Sequence, residues 1–139
     1  MILLVLIGSI SSCGKDDDLD MSNIENLYAQ PLSVIQKCVQ GKWEVKYIIG
    51  GYMGKTPVSD KFIEINDNKI NGRKFQWEKY TIPNMDGSSF STYAIHYIEL
   101  DEPSLYFGSI EKDTLSIGYI GGLPNCYDCY TGELWVRTK

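Results

Sequence analysis

Histidine is nearly absent from the chain, since His96 is the only one among 139 residues. Any site that needs two imidazoles is therefore excluded. Basic residues are also few, because 13 Lys and Arg face 18 Asp and Glu, for a net charge of -5. No basic cluster occurs, which argues against a nucleic-acid partner. No Gly-x-Gly-x-x-Gly or Walker sequence follows a predicted strand and opens a helix, so a nucleotide site has no support.

Catalytic groupings are missing as well. His96 alternates with Ile95 and Tyr97 on a predicted strand, and we interpret it as a structural or surface residue. Acidic residues lie chiefly at turns and at outward strand positions, as with Glu44 and Glu64. No close pair of them suits general acid and base catalysis. We therefore expect a protein that is not an enzyme and that holds no metal or cofactor.

The apolar run from Ile2 to Ile10 is too short to span a bilayer, which takes about 20 residues. Its length fits the h-region of a secretory signal, so we expect residues 1–12 to be removed. The small residues Ser11 and Ser12 suit a signal peptidase, and Cys13 follows them directly. A simply cleaved secretory signal or a buried N-terminal strand is the alternative interpretation.

The tripeptide Ser11-Ser12-Cys13 resembles the lipobox of bacterial lipoproteins, in which the cysteine thiol becomes a diacylglycerol thioether. The resemblance implies a lipid attached to Cys13 and a membrane as partner. The chain departs from the pattern in lacking a basic n-region, because Ile2 follows Met1 directly. Lys15-Asp16-Asp17 also resembles the surface-export signal of Bacteroidetes-type lipoproteins, although an ordinary acidic linker explains it too. An outer-membrane lipoprotein of a Gram-negative bacterium, facing the periplasm or the exterior, is implied.

The rest of the chain divides into two parts. Residues 13–30 begin with a charged stretch that has few large apolar side chains, and we expect a flexible acidic tether. Residues 31–139 form one domain. Leu32, Ile35 and Val39 fall at helical spacing between Pro31 and Gly41, which predicts one short amphipathic helix.

Beyond the helix the apolar period changes to two, which predicts strands. Asn71-Gly72 is a strong hairpin signal between two of them. The predicted strands are 42–49, 61–66, 68–70, 73–82, 90–100, 104–110, 114–120 and 133–138. Eight strands connected in sequence leave two exposed edges unless the sheet closes. We expect an all-β, eight-stranded antiparallel up-and-down barrel preceded by one short helix.

The start and the end of this predicted barrel carry a family resemblance. If the helix caps one end, the first strand leaves that end and the eighth returns to it, which brings Trp43 close to Arg137. Gly41-Lys42-Trp43 resembles the Gly-x-Trp signature of lipocalins, and Arg137 is placed like the arginine that packs over that tryptophan. The whole pattern is similar to the small lipocalin-like, or calycin, domains of Bacteroidetes lipoproteins. The chain departs from full-length lipocalins in having no C-terminal helix and a very short third strand.

Four cysteines remain to be interpreted. With Cys13 lipidated, Cys38, Cys126 and Cys129 leave one thiol unpaired. The strand count puts the loop 121–131 at the end opposite the helix, so we predict a local Cys126–Cys129 disulfide and a free Cys38 on the apolar helix face. A cross-link to Cys38, and zinc or redox chemistry at the Cys-x-x-Cys pair, remain alternatives.

Aromatic residues at alternating strand positions are the remaining functional candidates. Inward side chains of an eight-stranded barrel either fill the interior or leave room for one small ligand. If a cavity exists, the loops 50–60 and 121–131 frame its mouth. We expect the lining to include Tyr47, Ile49, Phe75, Trp77, Tyr93, Tyr97 and Tyr119.

Three functions remain open for this barrel. The leading hypothesis is a membrane-anchored, monomeric binder of a small hydrophobic or amphipathic ligand. The alternatives are a filled barrel that presents Tyr52-Met53 and the loop 127–130 to a protein partner or a protease, and a structural component of the cell envelope.

Overall fold

The computed structural model describes residues 19–51, 54–84, 86–98, 104–120 and 130–139. A short 3-10 helix, Leu27–Ala29, precedes the α-helix α1, Leu32–Val39. Pro31, with φ of -58°, stands directly before α1, where its fixed backbone angle suits a helix start. Ile35, Cys38 and Val39 are buried. The predicted amphipathic helix is thus confirmed.

Nine strands occur in the described parts of the chain. They are β1 (Gly41–Gly50), β2 (Lys55–Pro57), β3 (Phe62–Asn66), β4 (Lys69–Ile70), β5 (Arg73–Pro83), β6 (Ser89–Tyr97), β7 (Ser104–Glu111), β8 (Thr114–Ile120) and β9 (Tyr130–Arg137). Strands β2 and β3 pair with successive parts of β1 and act as one interrupted strand. The barrel therefore has eight strands. The segment β2 lies within the predicted loop 50–60.

The sheet is antiparallel throughout and closes on itself. Strands β2 and β3 both pair with β1, each later strand pairs with its neighbour in the chain, and β9 also pairs with β1, with Trp43 opposite Arg137. Closure removes the exposed edges that an open sheet would leave. At the β4–β5 hairpin, Asn71 has φ of 50° and Gly72 has φ of 81°, as the Asn-Gly signal predicts. The predicted all-β up-and-down barrel is confirmed.

A β-bulge in β1 reverses which side chains point into the barrel. Val45 lies opposite Trp135, but the next pair is Tyr47 with Leu134, so Lys46 is the extra residue. Directly opposite residues share a face of the sheet, and one extra residue moves all later side chains to the other face. Ile48 therefore shares the inner face with Glu133. Simple alternation from Trp43 predicts the reverse.

The domain begins earlier than the sequence predicts. Ile24 forms a β-bridge with Ile110 and is 6% exposed. Leu27 is fully buried, and the Ser22 carbonyl accepts a hydrogen bond from the Asp113 amide. The prediction of a tether reaching residue 30 is therefore wrong for the later part of this segment. Four of its apolar side chains, at positions 19, 21, 24 and 27, pack against the barrel despite the charges in this segment.

The half of the barrel next to α1 is filled. Trp43, Phe107 and Trp135 are among its largest fully buried side chains. The Phe107 and Trp135 rings meet edge to face, with 6.3 Å between their centroids. Large interlocking aromatic side chains leave no room there for a ligand. Any ligand site inside the barrel must therefore lie in the other half.

Candidate functional site

The half of the barrel away from α1 contains a cavity of about 600 Å³. Its wall has an apolar part and a polar part. The apolar part comprises Ile63, Ile70, Leu105 and Trp135, and the polar or amphipathic part comprises Lys61, Asn71, Arg73, Tyr97, Tyr119 and Glu133. A concave apolar surface with a few convergent polar groups is the usual form of a small-molecule site.

Glu133 is the central polar residue of this cavity. Strand β9 places it on the same face as Trp135 and Arg137, and it is 6% exposed. The Tyr119 hydroxyl donates to Glu133 Oε2 at 2.7 Å. Lys61 Nζ and Trp135 Nε1 each lie 3.4 Å from Oε1. A buried carboxylate needs such partners, because removing an unpaired charge from water is very costly.

Tyr119 is held as a donor by its surroundings. Burial, followed by the hydrogen bond to the Glu133 carboxylate and its charge, raises the pKa of Tyr119 far above its usual range. Because the neutral phenol is favoured, its proton stays on the oxygen that faces Glu133. The position of the carboxylate is thereby fixed on one side, while the Oε1 side remains within reach of the cavity.

The exposed rim of the cavity lies at the short strand β4. Only two residues of β4 separate β3 from β5. The exposed lining residues here are Lys61, Asn71 and Arg73. Asn71 Oδ1 accepts the Glu64 amide at 2.7 Å and so ties the hairpin to β3. Among the described residues of the predicted mouth loop 50–60, none lines the cavity.

Sequence reasoning identified two of the lining residues and misplaced others. Tyr97 and Tyr119 line the cavity. Phe75 is buried, and Trp77 and Tyr93 pack partly buried against the core. The prediction for Tyr47 and Ile49 is wrong, because the bulge at Lys46 puts them on the outer face with Leu134 and Gly132.

The Lys55 ammonium group lies 4.1 Å from the centre of the Tyr47 ring on that outer face. Glu133 is the most important of the lining residues that were not predicted from the sequence, because acidic residues are expected at turns and outward positions. A signal for it exists in the printed sequence. Side chains two residues apart on a strand share a face of the sheet, so an inward Arg137 and an inward Trp135 imply that Glu133 also points inward.

The opposite end of the barrel brings Trp43 and Arg137 together. The guanidinium carbon lies 4.3 Å from the Trp43 ring centroid. The guanidinium also donates to the Cys38 carbonyl at 2.9 Å and the Gln40 carbonyl at 3.0 Å. Its Nε donates to Asp113 Oδ1 at 3.0 Å. Arg137 therefore ties the end of α1 to the last strand.

Cys38 is a free, buried thiol beside this arginine. Its sulfur lies 3.2 Å from the Met21 sulfur. Burial raises the pKa of the Cys38 thiol, against the opposing charge of Arg137. Cys13, Cys126 and Cys129, with the predicted lipid attachment and disulfide, lie outside the described residues.

His96 lies on the outer face of β6. Its Nδ1 is 3.4 Å from the Tyr80 hydroxyl and 3.3 Å from the Ser104 hydroxyl. Glu78 accepts a hydrogen bond from Tyr80 at 2.8 Å. These contacts lie on a sheet face rather than in the barrel cavity, so the histidine takes no part in the site inside the barrel.

Within the described ranges, no group of three or more His, Cys, Asp or Glu residues is arranged to hold a metal ion. Over the same ranges, no helix has the length and apolar character needed to cross a membrane. Comparisons of the chain with protein-family models, with curated proteins and with solved structures give no match. The cavity and its residues are therefore the basis for any statement about function.

Proposed function

We propose that this protein is a membrane-anchored, lipocalin-like barrel that binds one small amphipathic molecule in the cavity around Glu133. The observation that carries the proposal is a cavity of about 600 Å³ with both an apolar and a polar wall. Burial of an apolar ligand surface stabilises a complex by roughly 25 cal/mol per Å². The polar groups orient the ligand.

The cavity also separates this proposal from its main rival. A barrel that acts only through its surface gains stability from a filled interior, because a cavity costs the dispersion contacts of its lining. Here Leu105 and Trp135 end the filled half, and the space beyond them is lined by chemically diverse side chains. An interior kept open in this way favours ligand binding over a purely structural role.

Anchorage is the second part of the proposal, and its support is the sequence around Cys13. A lipid on Cys13 requires the domain to stay near a membrane. Whatever their conformation, the residues from Cys13 to Leu19 span at most about 20 Å, at about 3.5 Å per residue. The barrel therefore lies close to the lipid surface.

The contacts of the N-terminal segment support an orientation for the anchored barrel. Ser22 bonds to Asp113, which in turn binds Arg137 at the end capped by α1. The cavity is in the other half, around Glu133. An anchor attached to the capped end directs the cavity away from the membrane. The ligand then enters from the aqueous side.

The proposed binding can be tested by filling the cavity. Ile63 lines it, while its neighbour Phe62 points outward and is 59% exposed. The wild-type protein should bind the uncharged fluorescent dye phenylnaphthylamine with a rise in emission. Ile63→Trp should abolish the rise because the indole occupies the cavity, and Phe62→Trp should leave it unchanged.

Circular dichroism of both variants establishes that the barrel is retained. Native mass spectrometry of the wild-type protein adds a second measurement, because a co-purifying small molecule appears as an added mass. If the wild-type protein binds no dye and has a clean apo mass, or if Ile63→Trp binds as well as Phe62→Trp, the proposal is wrong.

A further inference from the structure

The buried carboxylate of Glu133 is bonded unequally at its two oxygens. Oε2 accepts a short bond of 2.7 Å from Tyr119. Oε1 has only two partners in the described chain, Lys61 Nζ and Trp135 Nε1, both at 3.4 Å. Charge-assisted hydrogen bonds to a carboxylate are typically about 2.7 to 2.9 Å long. Oε1 can therefore accept a better donor than either of its present partners.

The partner that compensates Glu133 is also easily displaced. The Lys61 side chain is 49% exposed, whereas the Glu133 side chain is 7% exposed. Because its side chain is half-exposed, Lys61 can return to water when another cation takes its place beside Glu133. A ligand that brings its own positive charge can replace Lys61 at Oε1 without leaving a buried charge unpaired.

Aromatic rings complete the surroundings of this carboxylate. Tyr97, Tyr119 and Trp135 line the same cavity as Glu133. The faces of aromatic rings attract organic cations, most strongly when the cation is desolvated. A carboxylate combined with aromatic walls is the chemistry that recognises an ammonium group.

We infer that the cavity is selective for an amphipathic organic cation, whose ammonium group binds Glu133 Oε1 and whose apolar part packs on Ile63, Ile70 and Leu105. This inference rests on the proposed function and names the chemical class of its ligand. It does not depend on the anchor at Cys13.

The competing ligand is an amphipathic anion. Lys61 and Arg73 both lie at the rim, so the lining has two positive charges against one negative charge. Both cations are exposed, and water and salt screen exposed charges far more than buried ones. An anion that enters the cavity also meets the buried Glu133 carboxylate. The buried charge therefore dominates the selectivity.

Three ligands of equal chain length separate these cases: n-octylammonium, n-octanol and octanoate, titrated calorimetrically into the purified protein at neutral pH. Octylammonium should bind about tenfold tighter than octanol, the effect of one hydrogen bond to a charged group. Octanoate should bind more weakly than octanol. Glu133→Gln keeps the shape of the side chain but not its charge, and should make octylammonium and octanol equal.

A second variant tests the displacement of Lys61. Lys61→Met removes the charge that competes for Oε1, so octylammonium should bind several-fold tighter. Lys42→Met is the matched control, because Lys42 pairs with Glu64 on the outer face and its side chain is 71% exposed. The control should change nothing. These exposed sites keep the test valid even if Glu133→Gln fails to fold.

The outcomes distinguish the inference from the proposed function. Equal binding of octanol and octylammonium, or tighter binding of octanoate that Lys61→Met weakens, overturns cation selectivity and leaves the binding function standing. Binding of none of the three compounds contradicts the proposed function, and the inference with it.

Discussion

Arg137 lies across the indole of Trp43, with its guanidinium carbon 4.3 Å from the ring centroid. The contact joins the first strand to the last, which are also paired through backbone hydrogen bonds. Trp43 Nε1 donates to the Val39 carbonyl at 2.9 Å, and Arg137 donates to the Cys38 carbonyl at 2.9 Å. The carbonyl groups at the end of a helix have no partners within it. One stacked pair therefore covers this end of the barrel and caps α1.

The stability of the closed end should be lost unequally when these two residues are truncated. Trp43→Ala removes a fully buried indole and should lower the free energy of unfolding by about 3 to 5 kcal/mol. Arg137→Ala removes a cation over a ring and three charged hydrogen bonds, one of them to Asp113, and should cost about 2 kcal/mol. Urea denaturation followed by tryptophan fluorescence and circular dichroism measures both.

Arg137→Lys is the informative control for this pair. Lysine keeps the charge but lacks the planar fork that reaches two carbonyl groups at once. It should therefore recover only part of the loss seen with Arg137→Ala. If both truncations leave the unfolding midpoint unchanged, the stacked pair does not stabilise the closed end.

The sequence predicts the closed end better than the cavity, for a physical reason. The contact of Trp43 with Arg137 at the closed end follows from the number and order of the elements. One helix caps this end, an even number of strands returns the chain to it, and the first and last strands each place one inward residue there. Those counts follow from hydrophobic periodicity and turn signals such as Asn71-Gly72. Errors in the exact ends of the strands do not affect them.

The lining of the cavity depends on which face of the sheet each side chain takes. One extra residue in a strand moves all later side chains to the other face. Lys46 carries no sequence signal for a bulge, so Tyr47 and Ile49 are assigned to the wrong face. The inward Glu133 conflicts with the usual exposure of acidic residues and is recognisable only through its partners. Lys61 and Tyr119 supply them, at a distance of many residues in the chain.

A glycine beside the site should be intolerant of any side chain. A Cβ on Gly132 would overlap the backbone carbonyl of Ile117 on the neighbouring strand. Backbone in a paired sheet cannot move aside as a side chain can. Gly132→Ala should therefore destabilise the barrel by about 2 kcal/mol or more.

Gly108 offers the matched comparison within another strand. A Cβ there would make only ordinary contacts, the nearest 3.7 Å from the Ser116 carbonyl oxygen. Gly108→Ala should change the unfolding midpoint little. Equal midpoints for the two alanine variants in urea would contradict the close approach at Gly132.

The decrease in the free energy of unfolding at alkaline pH should depend on Tyr119. Burial and the Glu133 carboxylate raise its pKa in the folded protein, while an unfolded tyrosine titrates near pH 10. Below about pH 10 both states keep the proton, so the contribution is constant. Above that pH the unfolded chain binds fewer protons, and the free energy of unfolding falls by at most about 1.4 kcal/mol per pH unit.

Tyr119→Phe removes this contribution. The free energy of unfolding of the variant should therefore fall less steeply between about pH 10 and 11 than that of the wild-type protein. The measurement is the urea midpoint of the wild-type protein and of the variant at a series of alkaline pH values. The difference between the two curves isolates Tyr119 from the other tyrosines and the lysines. Parallel curves would show that its environment does not hold the proton.

The buried thiol of Cys38 should resist alkylation in the folded protein. The residue is fully buried, and burial raises its pKa, so little thiolate is present to react. Iodoacetamide should label Cys38 only after denaturation, as peptide mapping by mass spectrometry can measure. The same non-reducing map tests the predicted disulfide, because Cys126 and Cys129 should appear in one cross-linked peptide. Rapid labelling of native Cys38 would contradict the burial of this thiol, and its appearance in a disulfide would contradict its free state.

The proposed anchor at Cys13 can be tested separately from the folding of the barrel. Cys13→Ala removes the thiol that lipidation needs, and the described contacts with the barrel core begin only at Leu19. The variant should therefore leave the detergent phase and the membrane fraction in a Gram-negative host, while its urea midpoint stays that of the unlipidated domain. Ser12→Ala is the control, because alanine is as small as serine and leaves the cysteine in place. Because Cys13 is the single proposed attachment site, we expect the variant to leave the membrane fraction completely. Unchanged detergent partitioning of Cys13→Ala would mean that something other than this thiol holds the protein at the membrane.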